Sequence, residues 1–188
     1  MNENDPAIRQ LSTREVYRNP WLRLREDEVE FPDGSTGSYA VVEKQDFVSV
    51  IPWTGDGFWL VQQYRYTVGV RAWEFPQGGW PAGRAGTTEE LAAAELAEET
   101  GLRAGSLRHL GRLYAGYGYA TQSFDVYLAT DLVEGEPNRE STEQDMVHRW
   151  FSDADLRAMV RSGEFPDSHS VASLALFDEQ LIRPRDEA

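Results

Sequence analysis

The chain has no cysteine among its 188 residues. That removes thiolate nucleophiles, zinc–thiolate sites and a disulfide framework from consideration. Histidine is scarce. His109, His148 and His169 stand far apart in sequence, and no spacing among them gathers a metal ion. Positive charge is also short: 18 Lys and Arg face 32 Asp and Glu, for a formal net charge of −14. RNA or DNA would be repelled over most of such a surface, so no nucleic-acid partner is expected. No apolar run approaches the roughly 18 residues of a membrane span. The N-terminal stretch from Met1 to Gln10 lacks the basic and apolar regions of a signal peptide. The expectation is a cytoplasmic protein without a membrane partner. With thiolates and imidazoles set aside, a metal site can draw only on carboxylates, which favours a hard cation such as magnesium or manganese.

What is present suits a folded domain. Hydrophobic residues make up 40% of the chain, and the length is that of about one domain. The polar residues 1–12 read as a flexible N-terminus. Leu22, Leu24, Val29 and Phe31 suggest a broken strand, and Pro32-Asp33-Gly34-Ser35 is a turn that returns through Tyr39, Val41 and Val42. Phe47 to Ile51 reads as a buried strand. Thr54-Gly55-Asp56-Gly57 turns the chain so that Phe58 to Val61 runs back antiparallel to it. Gly78, Gly79, Pro81, Gly83 and Gly86 mark a loop too glycine-rich for helix or strand. Thr87 and Glu90 then form a capping box, good helix formers fill 89–99, and Gly101 stands where a left-handed cap belongs. Strands are expected near Leu110–Tyr114, Phe124–Ala129 and Val147–Phe151. A short helix follows from Asp153 to Arg161, between Ser152 and Gly163. A last helix from Ser168 to Leu181 carries Val171, Leu174 and Leu181 as its core stripe.

The helix after the glycine-rich loop holds the chemistry. Glu95, Glu98 and Glu99 are spaced by three and four, which puts Glu95 beside both of the others on one face. Like charges so placed weaken a helix by a few tenths of a kcal/mol each, and a cation between them would turn the repulsion into attraction. On a surface helix alone, the same face could be no more than solvated.

The context points further. The glycine-rich loop followed by Glu95-Leu96-Ala97-Glu98-Glu99-Thr100-Gly101-Leu102 resembles the Nudix box, which closes on Arg-Glu-U-x-Glu-Glu-x-Gly-U with U a bulky aliphatic residue. The resemblance implies that Glu95, Glu98 and Glu99, with the backbone at Gly78, hold magnesium or manganese, and that Glu99 is catalytic. Two positions depart from the box. Its arginine falls on Ala94, and its earlier glutamate has no counterpart, because the loop from Gly78 to Gly86 is longer by about two residues. Arg84 is a candidate to take the arginine's place in space.

Outside the box, three segments resemble the branch of ADP-ribose pyrophosphatases and nucleotide-sugar hydrolases. They are Pro32-Asp33-Gly34, Val61-Gln62-Gln63-Tyr64-Arg65-Tyr66 and Trp73-Glu74-Phe75-Pro76-Gln77-Gly78-Gly79. The likeness implies substrate-binding roles for Arg65 and Glu74, to which Arg84 is added as a candidate from the loop, and a second catalytic glutamate, Glu143, in the acidic loop before His148-Arg149-Trp150. It also implies a Nudix-type α/β/α sandwich with a mixed β-sheet. An N-terminal antiparallel β arm over residues 13–43 would make a homodimer, and residues 44–183 would form the catalytic domain. The expected activity is metal-dependent hydrolysis of the pyrophosphate in a nucleoside diphosphate joined to another group. That group would be the ribose of ADP-ribose or another sugar. ADP-ribose enzymes tend to carry a proline beyond the box where this chain reads Ala115-Gly116-Tyr117-Gly118-Tyr119, which leaves other nucleotide sugars open. An RNA 5′-pyrophosphohydrolase or dinucleoside-polyphosphate hydrolase remains an alternative on Phe75-Pro76-Gln77-Gly78-Gly79. A domain that binds a nucleotide sugar without cleaving it remains one on Ala94.

Overall fold

The structure is a computed structural model, described over residues 7–81, 83–139 and 145–181. Its first three strands, β1 (Arg9–Arg18), β2 (Leu22–Glu30) and β3 (Thr36–Lys44), form an antiparallel sheet in that order. The β2–β3 turn is the expected one. Asp33 accepts from the Ser35 N–H (3.0 Å) and hydroxyl (2.6 Å), and Gly34 takes the left-handed φ of 80° that the turn requires. β1 begins at Arg9, inside the stretch expected to be flexible. Its side chains are exposed along its whole length, so it shows no apolar alternation to read. Pairing with β2, reinforced by Arg9–Glu30 and Arg14–Glu26 contacts, orders it instead. These strands, up to Asp46 and together with Tyr114–Ser123, make one compact unit. Phe47–Leu113 and the chain from Phe124 onward make a second.

The second unit is the expected layered α/β arrangement. A four-stranded mixed sheet runs in the order β7 (Gln77–Gly78), β4 (Phe47–Pro52), β9 (Ser123–Val133), β8 (Arg103–Tyr114). β4 lies parallel to β9 and antiparallel to β7. A three-stranded sheet runs β10 (Val147–Ser152), β5 (Gly57–Arg65), β6 (Val70–Glu74). The helices are α1 (Thr88–Thr100), α2 (Asp153–Ser162) and α3 (Ser168–Leu181). Both faces of β4 are covered. Val48 and Val50 pack with Leu91, Ala92 and Leu96 of α1, while Ser49 on the other face receives a hydrogen bond from Ser173 of α3 (3.0 Å). Among the described residues no helix is long and apolar enough to cross a membrane.

Three expectations are corrected. β4 and β5 do not form a hairpin. The chain turns back as expected, with an antiparallel bridge between Trp53, just past β4, and Phe58, but the two strands belong to different sheets. The continuous burial of β4 explains this, since a strand covered on both faces suits the parallel pairing it makes with β9. Gly78 lies within β7 rather than in irregular loop. On α3, Val171 is exposed, and the buried face is Ser170, Ser173, Leu174 and Phe177; the Leu181 side chain lies outside the described residues. The two serines read as polar but are buried because each has partners: Ser170 bonds Asp167 and the Phe75 N–H, and Ser173 bonds Ser49 and the His169 carbonyl.

Candidate active site

α1 starts as its sequence dictates. The Thr87 hydroxyl accepts from the Glu90 N–H (3.1 Å), and Glu90 Oε2 accepts from the Thr87 N–H (2.8 Å). The helix ends on Gly101 at φ 77°, where the Gly135 carbonyl presses so close that no Cβ would fit. The chain beyond β9 seals that end: the Asn138 N–H donates to the Glu98 carbonyl (3.0 Å), and Arg139 Nε donates to the Glu99 carbonyl (3.0 Å). Carbonyls that a helix end leaves without intrahelical donors are thereby bonded, one of them by a cation at the negative end of the helix dipole. Arg139 also reaches His148 Nδ1 (2.8 Å). Burial, and then the neighbouring Arg139 charge, hold the imidazole below its usual pKa, so it accepts that bond as a neutral ring.

β7, at the edge of the sheet that α1 packs on, lies against the helix and sorts its glutamates. Glu99 is 1% exposed, and its Oε2 accepts from the Gln77 N–H (3.2 Å). Glu95 lies directly against Gly78, where an added Cβ would fall 2.6 Å from the carboxylate carbon. Glycine lets the carboxylate lie on the backbone there; a larger residue would push the Glu95 carboxylate aside. A cavity of about 260 Å³ opens beside this contact. Gly78, Gly79, Trp80, Pro81, Arg84, Leu91, Ala94, Glu95 and Glu98 line it. Four candidates from the sequence, Gly78, Arg84, Glu95 and Glu98, thus share one cavity, and the alanine at the box arginine's position shares it too. Glu99 does not line it.

Arg65 and Glu74 come together on the neighbouring sheet. The pair is bidentate, Nη2 to Oε1 at 2.5 Å and Nε to Oε2 at 3.1 Å, and Gln63 Nε2 also donates to Glu74 (2.8 Å). Glu74 is 1% exposed. Burial pushes its carboxyl above the usual range, against the pull of Arg65. Glu74 therefore holds Arg65 in place and does not itself face open space. Glu143 lies outside the described residues.

Sequence reading missed the support behind this strand. Asp167 Oδ2 accepts from the Ser170 N–H (2.9 Å), capping α3, and from Gln77 Nε2 (3.2 Å). Burial would raise the Asp167 carboxyl, but the His169 ring and the Ser170 hydroxyl and N–H outweigh it and hold the pKa at about 2. Ser170 in turn receives the Phe75 N–H (2.9 Å). The segment from Glu74 to Gly78 is thus pinned from α3 on one side and from α1 on the other. An Asp-x-x-Ser cap ahead of an apolar helix was the signal available for it.

Among the described residues no three Asp, Glu or His side chains are gathered tightly enough to hold an ion by themselves. The fit to a cation rests on the donor set. Glu95 and Glu98 line the cavity beside the Gly78 backbone, and every available ligand atom is oxygen, as hard divalent ions prefer.

The family model for the NUDIX domain matches residues 43–173, and that for the nucleoside diphosphate sugar hydrolase N-terminal domain matches residues 8–42. The chain belongs to the Nudix hydrolase family. Among proteins similar to this Nudix hydrolase is an ADP-ribose pyrophosphatase of Mycobacterium tuberculosis, 35% identical over 87% of this chain and 80% of that protein. A second is an ADP-ribose pyrophosphatase of Bacillus subtilis, 28% identical over 73% of this chain and 74% of that protein. A crystal structure of an ADP compounds hydrolase shares the fold, with a TM-score of 0.81 at 22% identity, covering 93% of this chain and 94% of that one. The matched family and relatives mark the chain as a Nudix pyrophosphohydrolase, an enzyme of the nucleotide-sugar hydrolase branch.

Proposed function

We propose that the enzyme hydrolyses the pyrophosphate bond of a nucleoside diphosphate sugar, with ADP-ribose the first candidate, giving a nucleoside monophosphate and a sugar phosphate. The observation that carries this is the single cavity shared by Gly78, Arg84, Glu95 and Glu98. The names of the two ADP-ribose pyrophosphatases put ADP-ribose first, ahead of what the missing proline suggested.

Glu95 and Glu98, with the Gly78 backbone and with Glu99 one turn on from Glu95, would hold magnesium or manganese. Such an ion neutralises phosphoryl charge and lowers the pKa of bound water. Arg65 is the cation for the substrate phosphates. Two of its nitrogens are fixed by Glu74, and Nη1 makes no hydrogen bond among the described residues, which leaves it for a phosphate oxygen. Glu74 and Gln63 act through Arg65 by fixing its direction. Arg84 supplies a second positive charge from the cavity lining. Glu143 is our candidate to take the proton from the attacking water, on its place in the acidic segment after Arg139.

A cytoplasmic setting and a homodimer belong to the same proposal. The sheet β1–β3 exposes Leu11, Val16, Tyr17 and Tyr39, with Trp21 beside it, an apolar set that suits a second copy of the chain. Light scattering at micromolar concentration should give twice the chain mass; a monomer would remove the dimer from the proposal. The activity is tested by a panel of nucleotide sugars and dinucleotides with and without magnesium. Metal-dependent release of a nucleoside monophosphate is expected. Binding without turnover would instead establish a non-catalytic domain.

A further inference from the structure

We propose that Trp80 and Arg84 work as one unit, in which the indole face holds the guanidinium at the cavity for an oxygen of the substrate's diphosphate. The inference rests on the reading of this cavity as the pyrophosphate site.

The loop between Gly79 and Thr87 is built around a ring. The Arg84 guanidinium carbon stands 4.4 Å from the centre of the Trp80 ring system, the geometry of a cation–π contact. The Arg84 N–H donates to the Pro81 carbonyl (3.0 Å), and Gly83 takes a left-handed φ of 84°, so a tight turn brings the arginine back over the tryptophan. Gly86 also lies against this indole, where an added Cβ would fall 2.8 Å from a ring carbon. Trp80 Nε1 is buried without a hydrogen-bond partner among the described residues.

The charge balance shows what the unit is for. Arg84 shares the cavity with Glu95 and Glu98, yet among the described residues it forms no ion pair within 4.0 Å. The Thr87 N–H and hydroxyl, both bonded to Oε2, hold the Glu90 pKa down, and the carboxylate also feels the Arg84 charge, which helps lower it to a smaller extent. An exposed arginine among acids ordinarily swings onto one of them. Here the stack withholds it, so its planar set of donors stays available for a phosphate. Two cavity glutamates and an incoming diphosphate carry negative charge that a single divalent ion does not cancel, and Arg84 supplies part of the remainder. Without the indole the same guanidinium would lose its orientation, and the ligand would have to order it on binding.

The test is a double-mutant cycle on the full-length protein. Binding of inorganic pyrophosphate is measured by calorimetry in magnesium, alongside kcat and KM on the best nucleotide sugar. Arg84→Gln should weaken pyrophosphate binding by about tenfold or more, as expected for loss of a charge-assisted bond. Trp80→Ala should cost nearly as much although the arginine remains, and the double variant should be no worse than Arg84→Gln alone. Trp80→Phe, which keeps an aromatic face, should recover most of the affinity. The loss should appear in KM more than in kcat. Additive losses, or full affinity in Arg84→Gln, would overturn the proposal. If Trp80→Ala fails to fold, the exposed Arg84→Gln and the aromatic Trp80→Phe still decide it. Because pyrophosphate binding needs no turnover, a protein that binds normally through this pair yet hydrolyses nothing would refute the activity and leave this inference standing.

Discussion

The sheet of β1, β2 and β3 and the sheet built on β4 are held by different forces. In the first, Val29 and Asp27 are the only buried side chains of the three strands, and charges are laced across it: Arg9 to Glu30, Arg14 to Glu26, and Arg23 to both Glu15 and Glu43. In the second, Val48, Val50, Val126, Tyr127 and Ala129 are all buried, with α1 packed on one face. Exposed ion pairs contribute little, whereas apolar burial contributes about 25 cal/mol per Å². The β4 region can stand on its own packing. A three-stranded ribbon with two buried side chains needs cover, in line with the proposal that a second copy supplies it.

The contrast can be broken or sharpened by substitution. Leu96→Ala, in the buried layer between α1 and β4, should cost about 2–5 kcal/mol, read as a fall in the urea midpoint. A loss under about 1 kcal/mol would mean that this core is not what holds the unit. Asp167 tests a polar contact in the same region. Its pKa is lowered from 3.8 to about 2. The stability it adds is therefore fully present above pH 3.8 and is lost as pH falls through 2, about 2–3 kcal/mol in all. Asp167→Asn should be less stable than wild type at pH 7, and the gap should close on acidification; a gap constant down to pH 2 would place the effect elsewhere. Glu99→Gln should leave the unfolding midpoint near that of wild type while turnover falls at least about tenfold, as for loss of one ligand or its support. Unchanged turnover at saturating magnesium would show that Glu99 serves packing alone. The smallest effect belongs to the exposed sheet: Arg14→Ala should change stability by about 0–1 kcal/mol and less in high salt. A larger loss would show that the charge lacing is structural after all.

The same contrast decided what could be read from the chain. α1 was legible to the residue at both ends because its signals are local: Thr87 and Glu90 answer each other across one turn, and Gly101 needs only its own φ. The carboxylates were legible for the same reason, and the structure brings Glu95 and Glu98 to one cavity with Arg84 and Gly78. Pairing between distant segments was not. Nothing in Phe47–Pro52 says that its partner is β9 rather than the strand that follows it. Nor does anything in Ser170 and Ser173 say that Phe75 and Ser49 will satisfy them. The first residues of β1, ahead of the arm expected from residue 13, escaped notice because a strand exposed on both faces carries no alternation. Trp80 was passed over because one ring in a glycine-rich loop has no periodicity, and its meaning comes from the arginine folded over it.

The parallel pairing of β4 with β9 has a consequence for how the chain acquires its structure. The glycine-rich loop, α1 and β8 all lie between these two strands in sequence. Closing that pair means closing a long loop before its contacts give any return, which is the slow kind of step in folding. The neighbouring strands β2 and β3 are joined by one short turn and can zip without waiting. The enclosed segment carries the carboxylates on α1, so the repulsion among Glu95, Glu98 and Glu99 is met before the central sheet is complete. A divalent ion in the refolding buffer would therefore act on the rate at which the sheet closes as well as on the finished enzyme.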